Sequence, residues 1–431
     1  MNANATDSDN DHPWPTTETV SGLGLSPTLA INEESARLEG EGRDIYRLGL
    51  GQSPFPVPEE VVAELREHAG EKDYLPVRGL ERLREAVAGH HERTRRRETA
   101  ADNVLIGPGS KELLYLLQLV FDGEVWAPAP SWVSYEPQAA MAGRTFRWLP
   151  TSRESGWRLT AEGLDEACRT HDSVPKLLIL NYPNNPTGMT YGRERLESLA
   201  EVARRHDVLV LSDEIYCELD HEGDHASLAE FYPEGTVTTG GLSKWCGAGG
   251  WRLGTAVFPE KARGLLDAVA AVASETFTSV SAPIQYAAIR AFEGSPAIDD
   301  YLERSRAICR VLGGEIAGRL RGAGADVDDP EGGFYLLPDF TPLADQLADR
   351  DVTTSDQLAR RALRETGVAF LPGTAFGRPD DELTARLAYV NFDGAAALEA
   401  ARETDVDPAF VETHCDRTIA AVNRLCEWVA G

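Results

Sequence analysis

From about residue 100 onward, short apolar runs alternate with stretches whose apolar positions recur every three or four residues. EVWAPAPSW, TFRWLP, KLLILNYP, VLVLSDEIY and GTAVFP are continuous and bounded by Gly, Pro or polar residues, so each predicts a strand buried on both faces. NVLIGPGSKELLYLLQLVF predicts a strand, a glycine turn and a helix in succession, and LDEACRTH and RERLESLAEVARRH predict helices between strands. Strands alternating with helices predict a mostly parallel sheet covered on both sides. Upstream, SPTLAINEESARLEGEGRDIYRLGLG (26–51) predicts a helix and then a short apolar strand ending at Gly51. VPEEVVAELREHAG opens with proline and acids, as a helix N-terminus does.

Past about residue 300 the texture changes. A long helix is predicted through IDDYLERSRAICRVLGGEIAGRLRGAG, followed by GGFYLLPDF, a helix near 355–366, VAFLPG, ARLAYVNFD and a closing helix in VETHCDRTIAAVNRLCEWVA. This predicts a smaller α+β domain. The expected division is a disordered acidic tail (1–25), an N-terminal segment joining the small domain (26–58), a large domain (59–299) and a small C-terminal domain (300–431). No internal repeat or long linker separates the two domains, so they should pack closely.

The formal net charge of −28 argues against a nucleic-acid-binding face, which must be basic. No apolar run reaches the roughly 18 to 20 residues that cross a bilayer. The first twenty residues lack the basic start and apolar stretch of a signal peptide. Six scattered cysteines, without a CxxC pair or a histidine at metal spacing, predict reduced thiols in a cytoplasm and no metal site. An anionic ligand would have to be held by specific local groups, because the overall field repels it.

Lysine is scarce: five (Lys72, Lys111, Lys176, Lys244, Lys261) of the 42 basic residues. Lys244 stands in GLSKWCGAGGWRLG, after Ser243 and among glycines, with Arg252 eight positions later. Alone it reads as a surface lysine as readily as a chemical one, but four other stretches change its meaning. GPGSKE (107–112) brings Gly109 and Ser110 to a helix start, where backbone N–H groups attract anions; a plain turn fits it too, and P-loop spacing is absent. NYPNNPTG (181–188) presents Asn185 at a strand end. VLVLSDEIY delivers Asp213 and Tyr216 to the end of a buried strand, where a carboxylate is costly unless it pairs with a cation. SWVSY places Trp132 just after another strand, as core residue or as platform. Ligands of open α/β sheets bind outside the carboxyl ends of the strands, where such loops converge. A Schiff base needs a primary amine, which arginine cannot supply. A pyridine ring kept protonated needs a fixed carboxylate, and a phosphate needs a helix start with a forked cation.

NNPTG, SDEIY and SK…GWRLG, in that order, resemble the class I aminotransferases that depend on pyridoxal 5′-phosphate (PLP), particularly the bacterial aspartate-aminotransferase-like branch. The resemblance runs from about Ser26 to the C-terminus. It implies PLP fold type I: a large domain with a mostly parallel sheet of the seven-stranded type covered by helices, plus a smaller α+β domain. It also implies a homodimer with composite active sites. On this resemblance Lys244 is the Schiff-base lysine and proton carrier, Asp213 the pyridinium partner, and Tyr216 and Asn185 the partners of the cofactor's phenolic oxygen. Trp132 stacks on the ring. Gly109, Ser110, Lys111, Ser243 and Arg252 surround the cofactor's phosphate end, joined by Tyr74 from the neighbouring subunit. Arg386 forks onto the substrate α-carboxylate, with Gly51 and Asn185 helping. Lys111 matches a lysine that approaches a distal carboxylate, and it also suits a helix start. Arg78, in VRGL where small residues are typical, is either solvated or a contact for an acidic substrate. Gly247, Gly249 and Gly250 make the lysine loop unusually glycine-rich. The implied reaction is ping-pong amino transfer between an L-amino acid, aspartate-like or another common donor, and a 2-oxo acid such as 2-oxoglutarate. A lyase or cyclase on the same site is the alternative. A PLP-binding regulator is disfavoured, because the N-terminal extension is short and acidic with no recognition-helix pattern.

Overall fold

The computed structural model describes residues 14, 16–17, 19–95 and 98–431. Most of the expected tail lies outside these residues. In chain order the strands are β1 (Tyr46–Arg47), β2 (Val104–Gly107), β3 (Glu124–Ala129), β4 (Phe146–Pro150), β5 (Lys176–Asn181), β6 (Leu209–Asp213), β7 (Thr236–Gly241), β8 (Gly254–Val257), β9 (Tyr335–Leu336), β10 (Val368–Ala369), β11 (Leu371–Pro372) and β12 (Ala385–Ala388).

Seven of them form one sheet in the order β2-β8-β7-β6-β5-β3-β4. All its pairings are parallel except the two made by β8, which runs antiparallel to β2 and β7. The pleat explains why the inner strands read as unbroken apolar runs. Along β5, Leu177 and Ile179 enter the core on one face, with Leu113 and Leu266 of flanking helices, while Leu178 and Leu180 enter the core on the other face, with Leu196 and Leu228. Each face is therefore closed by helices, and alternation has no polar side to show.

β1 pairs in parallel with β10, and β9, β11 and β12 form an antiparallel sheet. Residues 46–47 thus join the C-terminal part of the chain, 322 residues away in sequence, through main-chain pairing. The long helix Pro296–Gly322 buries Ile308, Leu312 and Ile316 in the core that also holds Leu336, Leu387 and Leu425.

Four differences from the sequence expectation have physical reasons. β7 (TVTTGG) lacks the apolar signature of a strand, yet all six residues are buried; β-branched threonine fits a pleated surface without being apolar. The helices Arg263–Thr276 and Ala282–Glu293 are alanine-rich and weakly patterned. The N-terminal strand stops at Arg47, short of Gly51, and leaves Leu50 and Gly51 to line a cavity. The closing helix is broken at Cys415 into Pro408–His414 and Asp416–Ala430.

Candidate active site

A cavity of about 450 Å³ opens at the carboxyl ends of β5, β6 and β7, where loops of a parallel sheet converge. Asp213 is the last residue of β6 and only 3% exposed. Its carboxylate accepts hydrogen bonds from Tyr135 Oη at 2.7 Å and Thr239 Oγ1 at 3.2 Å. Burial pushes its carboxyl up to about 6, although both hydroxyls pull the other way.

Lys244 follows β7, recessed in the same cavity. Its Nζ donates to the Gly51 carbonyl at 2.7 Å and lies 5.5 Å from the Tyr216 ring centroid. Burial, then the positive charges of Arg386 and Arg252, bring its ammonium down to about 8, with Asp213 opposing them. Gly51 has to be glycine: a Cβ there would fall 1.8 Å from the Tyr335 hydroxyl. That hydroxyl and the Tyr216 hydroxyl are 2.8 Å apart.

Arg386, in β12, is 2% exposed. It donates to Asn185 Oδ1 at 3.3 Å and to the Gly49 carbonyl, while its Nε is buried without a hydrogen-bond partner. Asn185 is held by the turn it belongs to: its N–H donates to Asn181 Oδ1 at 2.8 Å. Gly188 closes that turn at φ +74°, where a Cβ would strike the Tyr335 carbonyl at 2.4 Å.

The opposite end of the cavity is a glycine cradle. The helix Ser110–Val120 starts after Gly109, whose φ is +91° and whose Cβ would lie 2.1 Å from Arg252 Nη2. A Cβ on Gly254 would lie 2.2 Å from the Ser110 nitrogen. Arg252 holds a left-handed φ of +53°, uncommon for a non-glycine residue. Among the described residues its guanidinium donates to carbonyls alone, those of Gly249 and Pro108. The glycines after Lys244 have separate explanations. Gly247 needs its φ of +67°, and a Cβ there would meet the Phe55 carbonyl at 2.3 Å; Gly249 lends its carbonyl to Arg252. Nothing in the structure explains Gly250.

Lys111, Trp132, Ser110 and Ser243 line the same cavity, with Lys111 Nζ 5.3 Å from the Trp132 ring centroid. Partial burial and the nearby Arg252 lower the Lys111 ammonium. Of the sequence-predicted residues, Tyr74 does not line the cavity. It is 89% exposed on the surface of this single chain. Arg78 stays outside as well, ion-paired with Asp267.

Several lining residues had been given no role. Tyr135 is three positions after Trp132, at the start of the helix Tyr135–Met141, and its ring meets the Trp132 ring edge-on at 5.4 Å. Asn181 donates its amide to the Asp213 carbonyl at 2.8 Å. Tyr335 and the N-terminal residues Ser26, Thr28 and Leu29 also line the cavity, and no local motif marks them.

The cavity wall carries four cations, Lys111, Lys244, Arg252 and Arg386, against one carboxylate, Asp213. A mostly parallel seven-stranded sheet with a recessed lysine and a buried carboxylate at its strand ends defines an enzyme of fold type I. The chain belongs to the aminotransferase class I and II family, whose model matches residues 43–392. It is 33% identical over 380 residues to an aspartate aminotransferase of Bacillus sp. (strain YM-2), covering 86% of this chain and 93% of the relative. The aspartate/prephenate aminotransferase of Thermus thermophilus is 33% identical over 362 residues, covering 83% of this chain and 90% of that one. Among solved structures, the aspartate aminotransferase from Thermus thermophilus with maleate matches at a TM-score of 0.83 and 29% identity, over 96% of this chain and 99% of that one. The chain is therefore an enzyme that transfers amino groups, and a lyase or cyclase is not favoured.

Proposed function

We propose that the cavity holds PLP and that the enzyme moves an amino group between an aspartate-like donor and a 2-oxo acid such as 2-oxoglutarate. The observation that carries this reading is the surplus of cations over carboxylates in one cavity of a chain whose net charge is −28. None of Lys111, Lys244, Arg252 and Arg386 has an ion pair with a described residue; Arg386 is buried and Lys244 half-buried, where an unpaired charge is costly, while Lys111 and Arg252 are exposed. A phosphate and the carboxylates of a substrate would balance them.

The residues present suit the cofactor. Lys244 offers the primary amine for covalent attachment, with its pKa near the physiological range, and Asp213 offers a buried carboxylate for the pyridine nitrogen. Tyr216 and Asn185 would hydrogen-bond the phenolic oxygen, and Trp132 would stack on the ring. Gly109, Ser110, Ser243 and Arg252 form the cradle for the phosphate, with Lys111 beside it. Once bound, PLP supplies an electron sink for the bonds at the substrate Cα. Lys244 then takes and returns the Cα proton. Arg386 grips the α-carboxylate with its fork, supported by Asn185 and Gly51. Lys111 suits the distal carboxylate of a dicarboxylic donor, a reading supported by the maleate, itself a dicarboxylate, named with the Thermus enzyme.

Tyr74, exposed here, is assigned to the phosphate of a partner subunit, so the working form is a homodimer with composite sites. The six cysteines are free thiols and no helix among the described residues is long and apolar enough to cross a membrane, which supports a cytoplasmic location. The division into 59–299 and 300–431, with 26–58 joining the latter, is supported by the separation of the seven-stranded sheet from the two small sheets and by the β1–β10 pairing.

The test is a panel of amino donors offered with 2-oxoglutarate and PLP. Aspartate should give glutamate and a 2-oxo acid in equal amounts. Glutamate formation only with monocarboxylic donors would refute the dicarboxylate assignment, and ammonia or carbon dioxide without glutamate would refute amino transfer.

A further inference from the structure

Behind the loop that carries Asp213 and Tyr216 lies a second set of buried charges that plays no part in the chemistry above. Asp213 and Tyr216 line the cavity, whereas Glu214, Cys217 and Glu218 do not, and Cys217 and Glu218 line a separate pocket with Arg95. All three meet one guanidinium, that of Arg95, the last residue of the helix Glu81–Arg95. Arg95 is 4% exposed. Its Nε donates to Glu214 Oε2 at 2.7 Å, its Nη2 donates to Cys217 Sγ at 2.6 Å, and the same Nη2 lies 3.5 Å from Glu218 Oε1.

Each carboxylate is held from a second side too. Glu214 Oε1 accepts from Ser212 Oγ at 2.9 Å and Ser227 Oγ at 2.5 Å, and Glu218 Oε1 is 2.8 Å from His90 Nε2. Arg306 donates to the Glu218 carbonyl at 2.8 Å, and His225 Nε2 is 3.7 Å from Glu214 Oε2. These partners hold both carboxyls well below the ordinary range despite complete burial.

A network this costly to bury is not needed merely to end a strand. Apolar packing of equal volume is commonly as stable as a buried ion pair, so such pairs contribute position more than stability. Here the positions are specific. Loop residues 213 and 216 face the reacting side, and residues 214, 217 and 218 between and after them are pinned to a rigid helix. We propose that Arg95 is a positioning residue, stapling the 214–218 loop so that Asp213 and Tyr216 are held in register with Lys244. The proposal rests on the PLP reading above, because its readout is the bound cofactor.

The experiment compares wild-type, Arg95→Met and Arg95→Lys holoenzymes for kcat, KM and the pH midpoint of the cofactor's visible absorbance. Circular dichroism checks the fold. Displacing a positioned group by a fraction of an ångström to one ångström lowers kcat on the order of tenfold to a hundredfold in Arg95→Met. KM for the amino donor should move less than about threefold, because Arg386 is held independently and uniform binding is kept. The pH midpoint should rise by about one unit as the Tyr216 hydrogen bond loosens, and Arg95→Lys should recover part of both changes. A folded Arg95→Met with wild-type kcat and midpoint would overturn the proposal. If Arg95→Met does not fold, Glu214→Gln, which keeps the shape of the side chain and removes its charge, carries the same two readouts, and unchanged values there overturn it equally. A wild-type protein that develops no visible band with PLP would instead sink the cofactor reading, so the two failures are distinct.

Discussion

Replacing Tyr135 by Phe removes one hydroxyl from the wall of the site and should change the charge state of Asp213. Both groups are buried, and the hydroxyl donates to the carboxylate at 2.7 Å. A hydrogen bond to an ionised group contributes about 1.5–3 kcal/mol, and one between neutral groups about 0.5–1.5. Losing the donor therefore penalises the carboxylate over the carboxylic acid by about 1–1.5 kcal/mol, or about one pKa unit. The Asp213 carboxyl already stands at about 6, against an ordinary 3.8, so the variant should titrate near 7. The sign follows from linkage. A carboxyl whose folded pKa is raised keeps its proton longer in the folded state, so stability present at low pH is lost as pH rises through the folded value. In the wild-type apoprotein that loss falls between about pH 4 and 6; in Tyr135→Phe it continues to about pH 7. Urea unfolding of both apoproteins at pH 5 and pH 8.5, at one protein concentration, measures it. The destabilisation by Tyr135→Phe should be about 1 kcal/mol at pH 5 and grow by about 1–1.5 kcal/mol at pH 8.5. The same loss at both pH values would refute the coupling between the phenol and the carboxylate. The holoprotein should show a smaller pH dependence, because a pyridinium partner stabilises the charged form.

Lys244→Ala should abolish both the visible band with PLP and the transfer of amino groups; a variant that keeps both would end the assignment. In the wild type the rate of cofactor capture should rise with pH about a midpoint near 8. About a quarter of the amine is then neutral at pH 7.5, against about 0.1% for an ordinary lysine, and a midpoint near 10.5 would contradict the desolvation argument. Lys111→Ala should lower kcat/KM for aspartate by about tenfold or more, the worth of one charge-assisted bond, and leave alanine almost untouched. Equal losses for the two donors would show that Lys111 does not read the distal carboxylate. Light scattering should find a dimer, and mixing inactive Tyr74→Ala with inactive Lys244→Ala should restore activity through hybrid dimers; a competent monomer would remove Tyr74 from the site.

What could be read from the sequence is what neighbouring residues impose on one another. Six strands of the large sheet follow from unbroken apolar runs, and Asp213, Asn185, Lys244 and Arg252 sit in contiguous stretches whose turn chemistry is local. The rest depends on separations that no window spans. Tyr135 meets Asp213 across 78 positions, Tyr216 meets Tyr335 across 119, and Asn185 meets Arg386 across 201. β7 escaped notice because threonine satisfies a buried strand without looking apolar, and Arg95 because one buried arginine resembles its solvated neighbours until its carboxylates are seen. The charge of the site is the strongest case. Positions 111, 244, 252 and 386 are four ordinary entries among 42 basic residues in a chain that carries 70 acidic ones, and each alone reads as surface. The fold brings them to one cavity and admits a single carboxylate there. Charges within several ångströms interact far more strongly than charges separated in solvent by a Debye length of about 8–10 Å, so the nearby groups dominate the field at the site. On the proposed reading, this is how a strongly acidic protein takes up a phosphate and a dicarboxylate: the local field at the site has the opposite sign to the field of the whole.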